Sequence, residues 1–186
     1  MFKVGDKVVY PMHGAGIIES IEEKAILDER QSYYIIKMPG EVKVMVPTAK
    51  AEEIGVRNII DKESAAKVIQ VLEQESTEMS MNWNKRYRDN MEKMKTGNIY
   101  EVADIVRNLS FKQKEKGLST GEKKMLLNAK QILVSELVLA EQKDLDEIES
   151  IVDSTIKESY EEHVATLGQN GVENNIVKKL ITTANN

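Results

Sequence analysis

The segment Asn82-Trp83-Asn84-Lys85-Arg86-Tyr87-Arg88-Asp89-Asn90-Met91-Glu92-Lys93-Met94-Lys95 holds the residues whose types and spacing suggest chemistry most directly. Read as a helix, it places Trp83, Tyr87, Met91 and Met94 on one stripe and Lys85, Arg88 and Lys95 on the adjoining one. A tryptophan on an apolar stripe is ordinarily core. This one stands in the first helical turn after a polar stretch, Glu73 to Ser80, and Lys85, Arg86 and Arg88 follow at once. An aromatic at the edge of a basic patch can stack on bases or wedge between them while the cations bind phosphates.

A second basic cluster comprises Lys112, Lys114, Lys116, Lys123 and Lys124. Cations near a helix end are commonly solvated and favour the dipole of that helix. Lys123 and Lys124, however, follow Ser119-Thr120-Gly121-Glu122, a capping-box pattern, so the free amides of a helix N-terminus would join them in holding an anion. If this cluster folds against the Trp83 helix, the two make one nucleic-acid face.

Charge is distributed to match. The chain of 186 residues carries a net −5, but residues 80 to 133 hold 12 Lys/Arg against 6 Asp/Glu, a net of +6. The flanks are acidic, at −4 for residues 1 to 79 and −7 for residues 134 to 186. A central basic block between acidic flanks is the footprint of a local polyanion contact. The acidic tail is a candidate shield for the basic face.

Enzyme signatures are missing. His13 and His163 lie 150 positions apart, neither with partners at metal-ligand spacing, so no metal is expected. Gly14-Ala15-Gly16 lacks the third glycine of a dinucleotide loop, and Gly121-Glu122-Lys123-Lys124 lacks the upstream glycine of a phosphate loop. These read as turn and cap chemistry, and neither catalysis nor a cofactor is expected. The absence of cysteine excludes a disulfide framework, and no apolar run reaches the roughly 20 residues that span a bilayer. A reducing cytoplasm with no targeting segment is the expectation.

The elements that must position these residues fall into two sets. Up to residue 60, β-branched and aromatic residues cluster in short runs: Lys7 to Tyr10, Ile17 to Leu27 after an interruption at Gly14-Ala15-Gly16, Ser32 to Met38 after a turn at Asp28 to Gln31, and Glu41 to Pro47 after Pro39-Gly40. So many strands in so few residues predict a small SH3-like barrel. From Asp61 the period becomes helical. Helices are predicted from Ala65 to Leu72, from Asn82 to before Gly97, from Asn98 to near Gly117 and from Ser119 toward Glu141. Two more, Ile148 to Leu167 and Val172 to Ile181, are separated by Gly168-Gln169-Asn170-Gly171. The fold class is therefore α+β in two domains, 1–58 and 61–186, with 143–186 an acidic helical extension.

Several motifs together resemble the CarD/CdnL family of bacterial transcription regulators. They are Phe2-Lys3-Val4-Gly5-Asp6-Lys7-Val8-Val9-Tyr10-Pro11 with His13-Gly14, Val46-Pro47, Gly55-Val56-Arg57, Asn82 to Tyr87, and Gly117-Leu118-Ser119-Thr120-Gly121-Glu122-Lys123. The resemblance covers roughly residues 1 to 142, and its N-terminal half is also similar to the polymerase-interacting module of transcription-repair coupling factors. It implies a Tudor-like domain that adds a strand to the RNA polymerase β subunit, and a helical domain that contacts promoter DNA at the upstream edge of the bubble. The implied minor-groove wedge is Trp83, with Lys85, Arg86, Arg88 and Lys123 as DNA contacts and Tyr87 and Lys124 beside them. On the polymerase side it implies Lys24 and Met45 with the strand residues Val44, Val46 and Pro47. Met45 departs from the basic residue common there. A monomeric, nucleoid-associated regulator that stabilises the open complex is the implied function; a polymerase adaptor whose helical half recruits another protein is the alternative.

Overall fold

A computed structural model of the chain describes residues 1–26 and 29–184, with side chains for 1–25 and 30–168. Five strands, β1 (Lys7–Tyr10), β2 (Gly14–Ile26), β3 (Glu29–Lys37), β4 (Lys43–Pro47) and β5 (Arg57–Asn58), pair antiparallel in the order β4-β3-β2-β1-β5. Alternation sends Val8, Ile18, Tyr34, Ile36 and Val46 to one face, where they form a small core with Ala51 and Val56. A one-turn helix α1 (Ala51–Ile54) lies between β4 and β5 and ends at Gly55, whose φ of 89° is the left-handed value that glycine supplies readily. The α+β reading is borne out.

Gly14-Ala15-Gly16 does not interrupt a strand. β2 begins at Gly14 and runs straight through, because these glycines serve close approach: a Cβ on Gly16 would lie 2.6 Å from the Lys37 carbonyl oxygen, and one on Gly14 would lie 2.6 Å from Ser135 Oγ. The turn expected at Asp28 to Gln31 is also displaced. Arg30 and Gln31 already pair with Ala25 and Lys24, while Leu27 and Asp28 lie outside the described residues.

Five longer helices follow: α2 (Lys62–Glu73), α3 (Trp83–Lys95), α4 (Ile99–Glu115), α5 (Thr120–Glu141) and α6 (Leu145–Ala184). The first four start at side-chain caps, with Asp61, Asn82, Asn98 and Ser119 accepting backbone amides of the first turn. At Ser119 the capping box is complete. α6 is one helix where two were expected, since a glycine inside a helix costs only about 1 kcal/mol and no proline breaks the ladder. The apolar stripe expected at Val172 to Ile181 lies outside the described side chains.

α5 lies between the two sets of elements. Met125, Ala129, Leu133 and Leu137 join the helical core with Val68, Leu72, Val106, Leu109 and Val152. The C-terminal half of the same helix also meets the sheet. Ser135 Oγ accepts the Ala15 amide at 2.9 Å, and Lys7 Nζ donates to the Leu139 carbonyl. The fully buried Glu136 carboxylate accepts both terminal nitrogens of Arg57, at 2.6 and 2.9 Å, and the Ile60 amide at 3.0 Å. Arg57 also donates to the Gly97 carbonyl at the end of α3. One ion pair thus joins β5, the α3 terminus and α5.

The tightest point of this junction is Gly14, where φ is 103°. Gly14→Ala is expected to lower unfolding stability by about 1–3 kcal/mol in urea titrations, through steric conflict with Ser135 and a strained φ. Ala15→Gly, at an ordinary strand φ beside it, should not reproduce the clash.

Candidate nucleic-acid interface

The buried residues of α3 are Arg86, Asn90 and Met94, spaced four apart. This stripe is rotated from the one expected, so Tyr87 and Met91 lie at its edge, while Trp83 falls in line with Asn90 and Met94 but stands at the helix start. Trp83 is the first residue of α3 and is 57% exposed. Its turn is fixed by Asn82, whose Oδ1 accepts the Lys85 amide at 3.1 Å.

Arg86 explains the rotation. Expected among the DNA-contacting cations, it is only 7% exposed, and its Nε and Nη2 both lie 2.6 Å from Glu122 Oε1. Glu122 is itself 2% exposed, and its Oε2 accepts the Ser119 amide at 3.0 Å to complete the capping box. A carboxylate in that position is costly without a cation, so the arginine turns inward. The remaining nitrogen, Nη1, donates to the carbonyls of Ser80 and Met81 at 2.7 and 3.3 Å. Arg86 is therefore a positioning residue: it ties the loop ahead of Trp83 to the start of α5. Burial opposes ionisation of Glu122, yet Arg86 and the Ser119 amide hold its carboxyl below the usual range.

Tyr87 is half-buried, and its ring lies over Gly121, where a Cβ would be 3.4 Å from Cε2. This contact brings the first turn of α5, with exposed Lys123 and Lys124, against α3, with exposed Lys85 and Arg88. Trp83 and these four cations share one end of the helical unit, and none of the four has an ion pair among the described residues. By contrast, Lys93 and Lys95 are paired with Asp104 and Glu92.

The loop between α2 and α3 is held from behind by residues that the sequence reading missed. Thr77 donates its amide to Asn108 Oδ1 and accepts from Asn108 Nδ2, at 3.0 and 2.7 Å. Arg107, fully buried, pairs with Asp104 and donates to the Val71 carbonyl. Burial works against the Asp104 carboxylate, but Lys93 and Arg107 keep its pKa lowered. The available signal was Arg107-Asn108 interrupting the apolar run of α4.

On the sheet, Lys24 stands opposite Gln31, Met45 opposite Ile35 and Pro47 opposite Tyr33, so the alternation of β3 puts Lys24, Met45 and Pro47 on one face. Met45 is exposed, and Lys24 lies 3.2 Å from Glu22. Val44 and Val46 point the other way, Val46 into the core and Val44 against it. Their expected part in a polymerase contact is thus confined to backbone. β4 is an edge strand, and such an edge can accept a further strand.

Only the first part of the expected shield is remote from the basic face; α6 runs back along the bundle, so that Tyr160 lies 4.6 Å beneath Lys114 Nζ and His163 lies 3.8 Å from Glu115. Glu141, Asp144, Asp146, Glu147 and Glu149 cluster where α5 meets α6. Lys123 lies about 27 Å away along α5 at 1.5 Å per residue, beyond a Debye length of about 8 Å. No group of three potential metal ligands occurs among the described residues, and no described helix is long and apolar enough to cross a membrane.

Arg86→Ala is expected to cost about 3–5 kcal/mol in urea unfolding by stranding Glu122, with Glu122→Gln in the same background recovering part of it. Because the folded-state pKa of Glu122 is lowered, its contribution is present above the ordinary glutamate pKa of about 4.3 and lost as pH falls through the folded value. Glu122→Gln should flatten that acid limb.

Comparison with known proteins places both parts. Residues 2–60 match the family model described as CarD-like/TRCF RID domain, and residues 67–153 match CarD, C-terminal domain. A relative from Bacillus subtilis (strain 168), described as "Putative transcription factor YdeB", is 45% identical over 138 residues, covering 74% of this chain and 90% of the relative.

Proposed function

The chain belongs to the CarD family of RNA polymerase-interacting transcription factors, and on that premise we propose that it stabilises the open promoter complex as a monomeric, non-catalytic adaptor. The sheet unit grips the polymerase β subunit through the free edge of β4, with Lys24, Met45 and Pro47 on the adjoining face. The helical unit lies against promoter DNA at the upstream edge of the bubble. Trp83 enters the minor groove, while Lys85, Arg88, Lys123 and Lys124 bind phosphates.

The observation that carries this reading is the exposed Trp83 directly after a clamped loop, beside four cations with no ion pair among the described residues. Unstacking a base step costs on the order of a few kcal/mol, and a wedge offsets part of that only once the step is open. An offset of about 1.4 kcal/mol shifts the open–closed balance tenfold. Weak intrinsic DNA affinity suffices, because polymerase binding raises the local concentration. No hydrolysis is involved.

Trp83→Ala is expected to shorten open-complex lifetime about tenfold while co-purification with polymerase is retained; unchanged lifetime would refute the wedge. Affinity for forked promoter DNA should fall steeply with salt, and replacing both Lys123 and Lys124 by Gln should lower the slope of log affinity against log salt by about 2. A helical unit that instead recruits another protein would leave that slope near zero.

A further inference from the structure

The corner where the sheet meets the start of α6 holds apolar side chains that the fold leaves uncovered. Val42, in the turn ahead of β4, is 60% exposed, and Leu145, the first residue of α6, is 43% exposed. Both line a cleft of about 390 Å³ that is also lined by Met38 and Val134, each buried. The wall ends on Val44, the second residue of the edge strand β4, so the cleft opens beside that edge.

Glu149, one turn into α6, supplies a carboxylate to the lining; it is exposed and has no ion pair among the described residues. Asp146, three residues before it on the same helix, is likewise exposed and unpaired among them. Every lysine within two residues of the lining is already matched: Lys37 with Glu41, Lys43 with Glu19, Lys130 with Asp153 and Lys143 with Glu147. The lip therefore keeps an uncompensated negative charge, which disfavours a phosphate-bearing occupant. Ser135, the buried polar side chain of the wall, is engaged by the Ala15 amide and the Ile132 carbonyl, which leaves little to orient a small polar ligand. What fits is an apolar side chain with a cation beside it.

We propose that this cleft receives a second segment of RNA polymerase, an apolar side chain flanked by lysine or arginine. The proposal rests on the sheet unit gripping the polymerase and adds a contact beyond the strand edge. Two observations choose the occupant: β4, the edge offered to the polymerase, supplies part of the wall, and the negative lip selects a basic segment. Val42 comes from the sheet, and Leu145 and Glu149 come from α6, so an inserted side chain touches both sets of elements at once. An apolar anchor in a pocket with charges at its rim is the arrangement that concentrates binding energy in few residues.

Titration of the fluorescently labelled full chain with purified RNA polymerase tests this. Val42→Ser is expected to weaken binding about fivefold, the equivalent of about 1 kcal/mol, with the urea midpoint unchanged. Glu149→Lys should weaken it more than Glu149→Gln, and raised salt should close the gap between the two. Wild-type affinity in either Val42→Ser or Glu149→Lys overturns the second contact. Self-association of the wild type that Val42→Ser abolishes also overturns it, by giving the cleft to a second copy of the chain. Failure of the sheet-edge reading is seen separately, as unchanged polymerase affinity for Met45→Glu.

Discussion

Two buried carboxylates on α5, Glu122 near its start and Glu136 near its end, set much of the arrangement of the chain. A carboxylate removed from water demands a cation and further donors, and each of these recruits an arginine from a distant element. Glu136 takes Arg57 from the sheet, and Glu122 takes Arg86 from α3. Both arginines then spend their remaining nitrogens on backbone carbonyls, Gly97 for one and Ser80 and Met81 for the other. Charge compensation in the interior therefore becomes placement of segments at the surface.

Such pairs are poor sources of net stability, because desolvation offsets much of the attraction. What they supply here is definition. An apolar substitute for Arg86 and Glu122 would fill the same space but leave the Ser80 and Met81 carbonyls without their donor, and the loop before Trp83 without its anchor. The same logic holds behind the loop, where Asn108 and Thr77 satisfy each other and Arg107 reaches the Val71 carbonyl.

Much of this was legible in the sequence where the signal is local. The caps at Asn82 and Ser119, the basic block and the exposed position of Trp83 follow from short-range patterns that the fold leaves intact. Long-range demands were not legible. Nothing around Arg86 distinguishes it from Lys85 or Arg88 until Glu122 is known to be buried opposite it. Gly14 reads as a turn until Ser135, 121 residues later, fills the space its missing side chain leaves. Val44 and Val46 looked available because alternation reveals that two faces exist but not which one is covered. The division of α6 at Gly168 failed because glycine weakens a helix without forbidding it.

The length of α5 acts as a ruler. Its 22 residues span about 33 Å at 1.5 Å per residue, close to ten base pairs at about 3.4 Å each. One end is fastened to the sheet and the other to the Trp83 loop, so the two are held at a set separation. An inserted helical turn in α5 would move the tip by about 5.4 Å, more than one base pair. The separation of the sheet from the Trp83 loop is then a property of protein length.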